Sequence, residues 1–440
     1  MSALPLLEWS RLTPDQRREA LRRPTQSAAT ELNERVAKII ADVRSRGDAA
    51  LLEYTQRFDG AELSALEVSE DEFLAAERTL DEVQLRALRR AIDNVTVFHE
   101  AQLSDPIRIE TSPGVVCERV FRPIDAVGLY VPAGVAPLPS AAIMLAVPAR
   151  IAGCATRIIC TPPRKDGTAD PAVLVAARLC GVARVFKVGG AQAIAAMAFG
   201  TQSIPKVDKV FGPGSAWVTA AKLLVSNDPE GAALDLPAGP SEVLVIADDS
   251  ARAEFVAADL LAQAEHSGDA QVVLVTTSET LARATLEELE VQMRRLGRES
   301  TLRQSIEHSR LILVDSIDTA FDVSNSYAPE HLIVQVRNAR QWLPKVRNAG
   351  SVFLGPWTPE TMGDYCSGTN HVLPTYGFAR AYSGLSMTDF MKRMTVQELT
   401  DEGLRDLGPT AITIAQLEGL DAHANAVQVR LAHLNATERA

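Results

Sequence analysis

The side chains best suited to chemistry are few, and their spacing is informative. Gln263-Ala-Glu-His266 sets an amide and an imidazole three residues apart. If the helical pattern over 251–264 runs on to His266, both lie on one helix face and could begin a metal site. A histidine that only balances the negative end of a helix would look the same. Pro329-Glu330-His331 stands just before an apolar run at 332–336. Pro329 should hold Ala328 extended, which puts Glu330 and His331 in a loop at the amino-terminal edge of a strand. There the two can converge as proton acceptors; a solvated pair is the plainer alternative. Asp364 and His371 lie in a polar stretch, and Glu418 and His423 lie near the C-terminus. Each of these four, taken alone, reads more often as a cap or surface residue than as a ligand. His99, His308 and His433 read as surface or helix-face residues.

Two glycine turns follow predicted strands. Val188-Gly189-Gly190-Ala191-Gln192 and Phe211-Gly212-Pro213-Gly214-Ser215 each open a helix, where backbone N–H groups can hold a phosphate. Neither fits the dinucleotide pattern G-x-G-x-x-G, since Trp217 takes the third glycine position of the second turn. Two ordinary strand–helix turns remain the alternative.

These residues need elements to hold them. From 13 to about 101 the pattern is mostly helical, with Val36, Ile39, Ile40 and Val43 at helical spacing. Then short apolar strands alternate with helices: strands at 126–131, 157–161, 185–188 and 209–211, helices at 140–152, 171–179, 191–199 and 216–225. After Pro237-Ala-Gly-Pro240 the series restarts, with strands at 243–246, 272–275, 311–314, 332–336 and 352–354 and helices at 251–264 and 280–296. Such alternation predicts parallel sheets covered on both faces. The fold class expected is α/β: two Rossmann-like parallel-sheet domains facing a cleft, with small helical N-terminal and C-terminal elements. No sequence period links the two series, so duplication has little support at this level. Residues 361–386 form a long polar loop whose aromatics argue for order. The stretch from 409 to 440 is helical, with Ile412, Ile414, Leu417 and Leu420 as an apolar stripe.

Composition narrows the classes. With 46% hydrophobic and 23% charged residues, the chain has the makings of a packed core and is not disordered. The 56 acidic against 44 basic residues give a net charge of −12, with no basic run, so nucleic acid is not an expected partner. The uncharged stretch 126–149 contains Pro132, Pro137, Pro139 and Pro148 and cannot form a continuous membrane helix. The first residues lack a basic start and a long apolar core, so a cytoplasmic setting is expected. Five cysteines without a C-x-x-C pair read as buried thiols.

Together the motifs resemble histidinol dehydrogenases. The resemblance is carried by the two glycine turns, Pro237-Ala-Gly-Pro-Ser241-Glu242, Gln263-Ala-Glu-His266, Ala328-Pro-Glu-His331 and Gly363-Asp-Tyr-Cys-Ser-Gly-Thr-Asn-His371, and it spans essentially the whole chain in the family's order. It implies a zinc-dependent, four-electron oxidation of L-histidinol to L-histidine through histidinal, using two NAD, as the last step of histidine biosynthesis. By position, Gln263, His266, Asp364 and His423 match the metal ligands, with one Zn2+ per subunit, and Glu330 and His331 match the catalytic proton acceptors. Ser241, His371 and Glu418 match substrate contacts, as do His331 and the four ligands. Tyr130, Gln192 and Ser215 fall at cofactor positions. The resemblance also implies a homodimer with shared active sites, the tail of one chain serving the other.

The expected division is 1–25 as a helical segment packing with 386–406, 26–129 and 241–385 as the domain of the metal and catalytic residues, 130–240 as the cofactor domain, and 407–440 as the tail. Two positions depart from the family pattern: Ser215 stands where an Asn is usual, and Ala133-Gly134 where two glycines are usual. Altered cofactor contacts are expected there, not lost activity. Two other readings fit the residues alone. One is a zinc hydrolase using Glu330 and His331 on a metal-activated water, and the other a two-lobed binding protein without catalysis.

Overall fold

Alternating burial on both faces makes the sheets. In the strand Glu242–Ala247, Val243, Val245 and Ala247 join one apolar core, while Leu244 and Ile246 join another on the opposite face. A computed structural model describes residues 4–24, 29–133, 136–237 and 239–437. The chain divides into two units, 1–102 with 124–390, and 103–123 with 391–440.

The first unit holds two parallel sheets. One has five strands in the order Arg184–Lys187, Thr156–Thr161, Ala126–Tyr130, Lys209–Phe211, Ala233–Leu234. The other has six, in the order Leu6–Glu8, Arg310–Leu313, Gln271–Thr276, Glu242–Ala247, His331–Gln335, Ser351–Leu354. In each, the series starts on a central strand, winds outward to one side, and returns to the other. The winding is the same twice, once the extra edge strand Leu6–Glu8 is set aside. The repetition that no sequence period reveals is therefore present in the topology.

The second unit is a three-stranded antiparallel sheet, Ile107–Ser112, Val115–Pro123 and Met391–Leu399, with helices Asp401–Leu417 and Asp421–Thr437. Pro409 lies inside the first of these helices, which begins eight residues before it rather than at it.

Several expectations are corrected. The N-terminal segment is not wholly helical: Leu6–Glu8 pairs in parallel with Leu311–Leu313 at the edge of the six-stranded sheet. Helix Ala29–Arg46, expected with the catalytic domain, packs Val36, Ile39 and Val43 against Ala193, Met197, Val218 and Val225 of the five-stranded half. Each such Val or Ile contributes about 1.5–3 kcal/mol on burial. Ala126–Tyr130 is the central strand of the five-stranded sheet and does not belong to the other domain. His99 is fully buried, with Nδ1 2.8 Å from the Val95 carbonyl, and burial lowers its pKa. Of the five free thiols, Cys154, Cys160 and Cys180 are buried, and Cys117 and Cys366 are half-buried. Among the described residues, no helix is long and apolar enough to cross a membrane.

Candidate active site

Cofactor-position residues cluster at the carboxyl edge of the five-stranded sheet. Tyr130 ends its central strand, and its hydroxyl accepts the Gly190 N–H at 3.0 Å. Burial pushes this phenol up to about 12, so it stays protonated. A side chain at Gly189 would meet Pro162. Gly212 has φ +124°, and a Cβ there would run into the Tyr130 carbonyl, so both turns need glycine for close packing. The Gly212 N–H donates to Asp235 at 2.8 Å, and its carbonyl accepts from Lys222 at 2.9 Å. Lys222 and Asp235 also form a buried ion pair, which fixes the turn from both sides. Removing one partner from such a pair costs about 3–5 kcal/mol. Gln192 is buried in the first turn of helix Gly190–Phe199. Ser215 precedes helix Ala216–Ser226, is exposed, and does not cap it with its hydroxyl. Ala133 is half-buried, and Gly134 and Ala238 lie outside the described residues.

The catalytic-position residues gather at the opposite, amino edge of the six-stranded sheet. Glu330 lies just before strand His331–Gln335, at the strand edge where the sequence puts it. The approach differs from expectation: Ala328 is not extended but left-handed, φ 56°, capping helix Ile317–Tyr327. That conformation costs about 1–3 kcal/mol for a residue with a side chain, and it turns the chain sharply into Pro329. His331 Nδ1 lies 3.1 Å from the Glu242 carbonyl, and the Glu242 N–H donates to Glu330 Oε2 at 2.9 Å. Nδ1 is also 3.7 Å from Glu330 Oε2 and 4.0 Å from Glu360 Oε2. On the ring's other side, Nε2 is 3.4 Å from Asp364 Oδ1 without hydrogen-bond geometry, and it is buried with no hydrogen-bond partner.

Gln263 sits near the end of helix Ala253–Ala264, so His266 lies just past it and not on its face. With its carboxamide turned to suit its neighbours, Gln263 donates to Glu360 at 2.8 Å and accepts the Glu242 N–H at 3.1 Å. Asp364 belongs to the short helix Glu360–Tyr365, and its carbonyl lies 2.9 Å from His371 Nδ1. His371 Nε2 is another buried atom without a partner.

Electrostatics follow from burial. Desolvation lowers His266 and His371 and so keeps both neutral. Burial would raise Asp364, but His331 beside it outweighs that and holds it low, hence ionised. Burial drives Glu330 and Glu360 up. It opposes charge on His331, yet the carboxylates of Glu330, Asp364 and Glu360 prevail and raise its pKa, which makes the ring a stronger base.

Both edges meet at a cavity of about 90 Å³, lined by Gly212 and Gly214 from one sheet and by Ser241, Glu330 and His371 from the other side. Ser241, just before strand Glu242–Ala247, is half-buried there. Glu418 and His423 belong to the second unit, where both are exposed. Among the described residues no three His, Cys, Asp or Glu side chains form a metal-holding group. The set implied by the sequence offers only His266 and Asp364 of those types in the first unit, with Gln263 as an amide. Its chemistry suits zinc all the same: a neutral buried imidazole, an ionised carboxylate and an amide oxygen. Glu360 and Arg23, both joined to this cluster, carried no signal in the sequence. Glu360 is marked only by its place three residues before the Gly363–His371 block.

Comparison with known proteins identifies the family. The family model for histidinol dehydrogenase matches residues 21–431. The histidinol dehydrogenase of Xanthomonas campestris pv. campestris is 56% identical over 97% of this chain and 98% of its own. That of Vibrio cholerae is 53% identical over 97% of this chain and 98% of its own. The crystal structure of histidinol dehydrogenase from Elizabethkingia anophelis superposes with a TM-score of 0.94 at 45% identity, covering 98% of this chain and 99% of that one. With agreement at that level along the whole length, the chain belongs to the histidinol dehydrogenase family.

Proposed function

We propose that this dehydrogenase oxidises L-histidinol to L-histidine through histidinal, using two NAD and one zinc ion per subunit, as the last step of histidine biosynthesis. The observation that carries the reading is His331, a buried imidazole with Nδ1 at a carbonyl and Nε2 unpartnered, beside a second buried acceptor, Glu330. An alcohol becomes a carbonyl only if its hydroxyl proton leaves with the hydride, and Nε2 of His331 takes that proton. The aldehyde must then be hydrated, and Glu330 accepts a proton from the water that adds to it. His371 and Ser241, with Glu418 from the tail, hold the substrate.

Gln263, His266 and Asp364, with His423 of the partner subunit, would hold the zinc. When bound, the zinc positions the substrate's imidazole and amine nitrogens, and NAD takes up the hydride. Tyr130, Gln192 and Ser215 would hold the cofactor. The starts of helices Gly190–Phe199 and Ala216–Ser226 lack side-chain caps, which leaves backbone donors for its phosphates.

The homodimer is supported by the second unit's exposed apolar side chains, among them Ile414, Leu417 and Val429, with Leu417 82% exposed. The pathway supports a cytoplasmic setting. The decisive experiment incubates purified protein with histidinol and NAD, with and without a strong chelator, and follows NADH. Two NADH per histidinol, lost on chelation and regained with Zn2+, is the expected result. No NADH from histidinol would overturn the reading.

A further inference from the structure

Arg23 lies more than two hundred residues from the catalytic motifs, yet its guanidinium is bound into their support. Its Nε and one terminal nitrogen pair with the two carboxylate oxygens of Glu242, the latter at 2.7 Å. The same terminal nitrogen donates to the carbonyls of Tyr327 at 2.9 Å and Ala328 at 3.3 Å. The guanidinium also stacks 4.0 Å from the Tyr327 ring centroid. Glu242 is 2% exposed, and its carboxylate accepts in addition the Tyr376 N–H at 2.7 Å.

Glu242 and His331 begin neighbouring central strands, with His331 opposite Val243 in register. Because side chains alternate across a sheet, the Glu242 side chain points to the face of Leu244 and Ile246, away from that of Ile333, which His331 shares. Arg23 therefore stands behind the sheet and does not line the cavity that the two sheets share. What it holds are the two backbone pieces that aim the catalytic pair. One is residue 242, whose N–H meets Glu330 and whose carbonyl meets His331. The other is the left-handed turn at Ala328 that leads into both.

We infer that Arg23 is a positioning residue for the reaction: its bidentate pair with Glu242 and its grip on the Tyr327 and Ala328 carbonyls fix the backbone that orients Glu330 and His331. The inference rests on the proposed histidinol oxidation. Lysine cannot replace the planar fork, since it offers a point charge without the two parallel donors.

The test uses the zinc-loaded full-length protein with histidinol and NAD, comparing wild type with Arg23→Ala, Arg23→Lys, Glu242→Gln and the double variant Arg23→Ala/Glu242→Gln. Misplacing reacting groups by about 1 Å costs about 10²-fold in rate, so Arg23→Ala should lose kcat on that scale. KM for both substrates and zinc content should stay near wild type. Ethylguanidine should restore part of the lost kcat in Arg23→Ala and leave wild type unchanged. The double variant should be no slower than the slower single one, because the two residues act as one unit.

A folded Arg23→Ala with wild-type kcat, losses that multiply in the double variant, or no rescue by ethylguanidine would each overturn the positioning role. If Arg23→Ala does not fold, Arg23→Lys decides: a wild-type kcat there overturns it, and a reduced kcat at unchanged KM supports it. Wild-type protein that makes no NADH would overturn the functional reading first, and the positioning role with it. An active wild type with unaffected variants would overturn the positioning role alone.

Discussion

His331 Nδ1 lies 3.1 Å from the carbonyl oxygen of Glu242. A carbonyl can only accept, so the ring proton belongs on Nδ1, and Nε2 is left facing Asp364 as the atom that can receive a proton. The ring is thus oriented by a backbone carbonyl and not by another side chain's polar group. His331→Asn should lower turnover by about 10²–10⁴-fold, with zinc content near normal. Metal analysis beside steady-state rates checks this; zinc lost together with activity would make His331 a ligand instead.

Glu330 is buried beside His331 and takes its N–H bond from the same residue, Glu242. Glu330→Gln keeps the shape and removes the proton acceptor. It should slow the hydration-dependent second oxidation more than the first, so that histidinal supplied directly is oxidised poorly. Single-turnover measurements from histidinol and from histidinal separate the two steps. Equal damage to both would count against a water-activating role.

His423 is exposed in the helix Asp421–Thr437 of the second unit. If it serves the neighbouring subunit, His331→Ala and His423→Ala chains, each inactive alone, should complement when their subunits exchange. A mixed dimer would have one site with both groups intact and one with both lesions. Random mixing makes about half the dimers mixed, so about a quarter of all sites should recover. Verified exchange without regained activity rejects the shared site.

Asp59 ends helix Asp48–Asp59, and its Oδ2 is buried without a hydrogen-bond partner. Burial raises its pKa to about 6. A carboxyl raised in the folded state is protonated there while the unfolded chain has already lost the proton. Folding must then take up a proton, and stability falls as pH rises from the unfolded value near 4 to about 6. Asp59→Asn, neutral in both states, should escape this cost. Its Tm advantage over wild type should be small at pH 4, grow until about pH 6 and then level off. Thermal melts across that range check it, and an advantage that shrinks with rising pH would contradict it.

What could be read before the structure follows the range of the interactions involved. Both strand series, save the two-residue Ala233–Leu234, were legible because each strand is a short apolar run, and Glu330 and His331 were legible at a strand edge because Pro329 and the run after it mark the boundary. Leu6–Glu8 was not, since three residues carry no period and become a strand only by pairing with Arg310–Leu313. Ala328 went against the local rule for a residue before proline, held in its turn by its N–H to Ser324 and by Arg23 on its carbonyl. His99 looked like a surface residue and Glu360 gave no signal, because nothing in a sequence reports that a carboxyl or an imidazole is fully enclosed. The pairing of Arg23 with Glu242 joins residues with no local relation at all.

The two sheets present opposite rims to the cavity they share, and this separates the proposed cofactor positions from the proposed proton acceptors. Both departures from the family pattern, Ser215 and Ala133, fall in loops after strands Lys209–Phe211 and Ala126–Tyr130, on the carboxyl rim of the five-stranded sheet. The amino rim of the six-stranded sheet carries Ser241, Glu330 and His331. Under the proposed roles, nucleotide grip could be retuned by editing loops on one sheet without touching the proton acceptors on the other. An engineer seeking a different redox cofactor would work on the same rim, with no residue of the proton-transfer pair in the mutagenesis library.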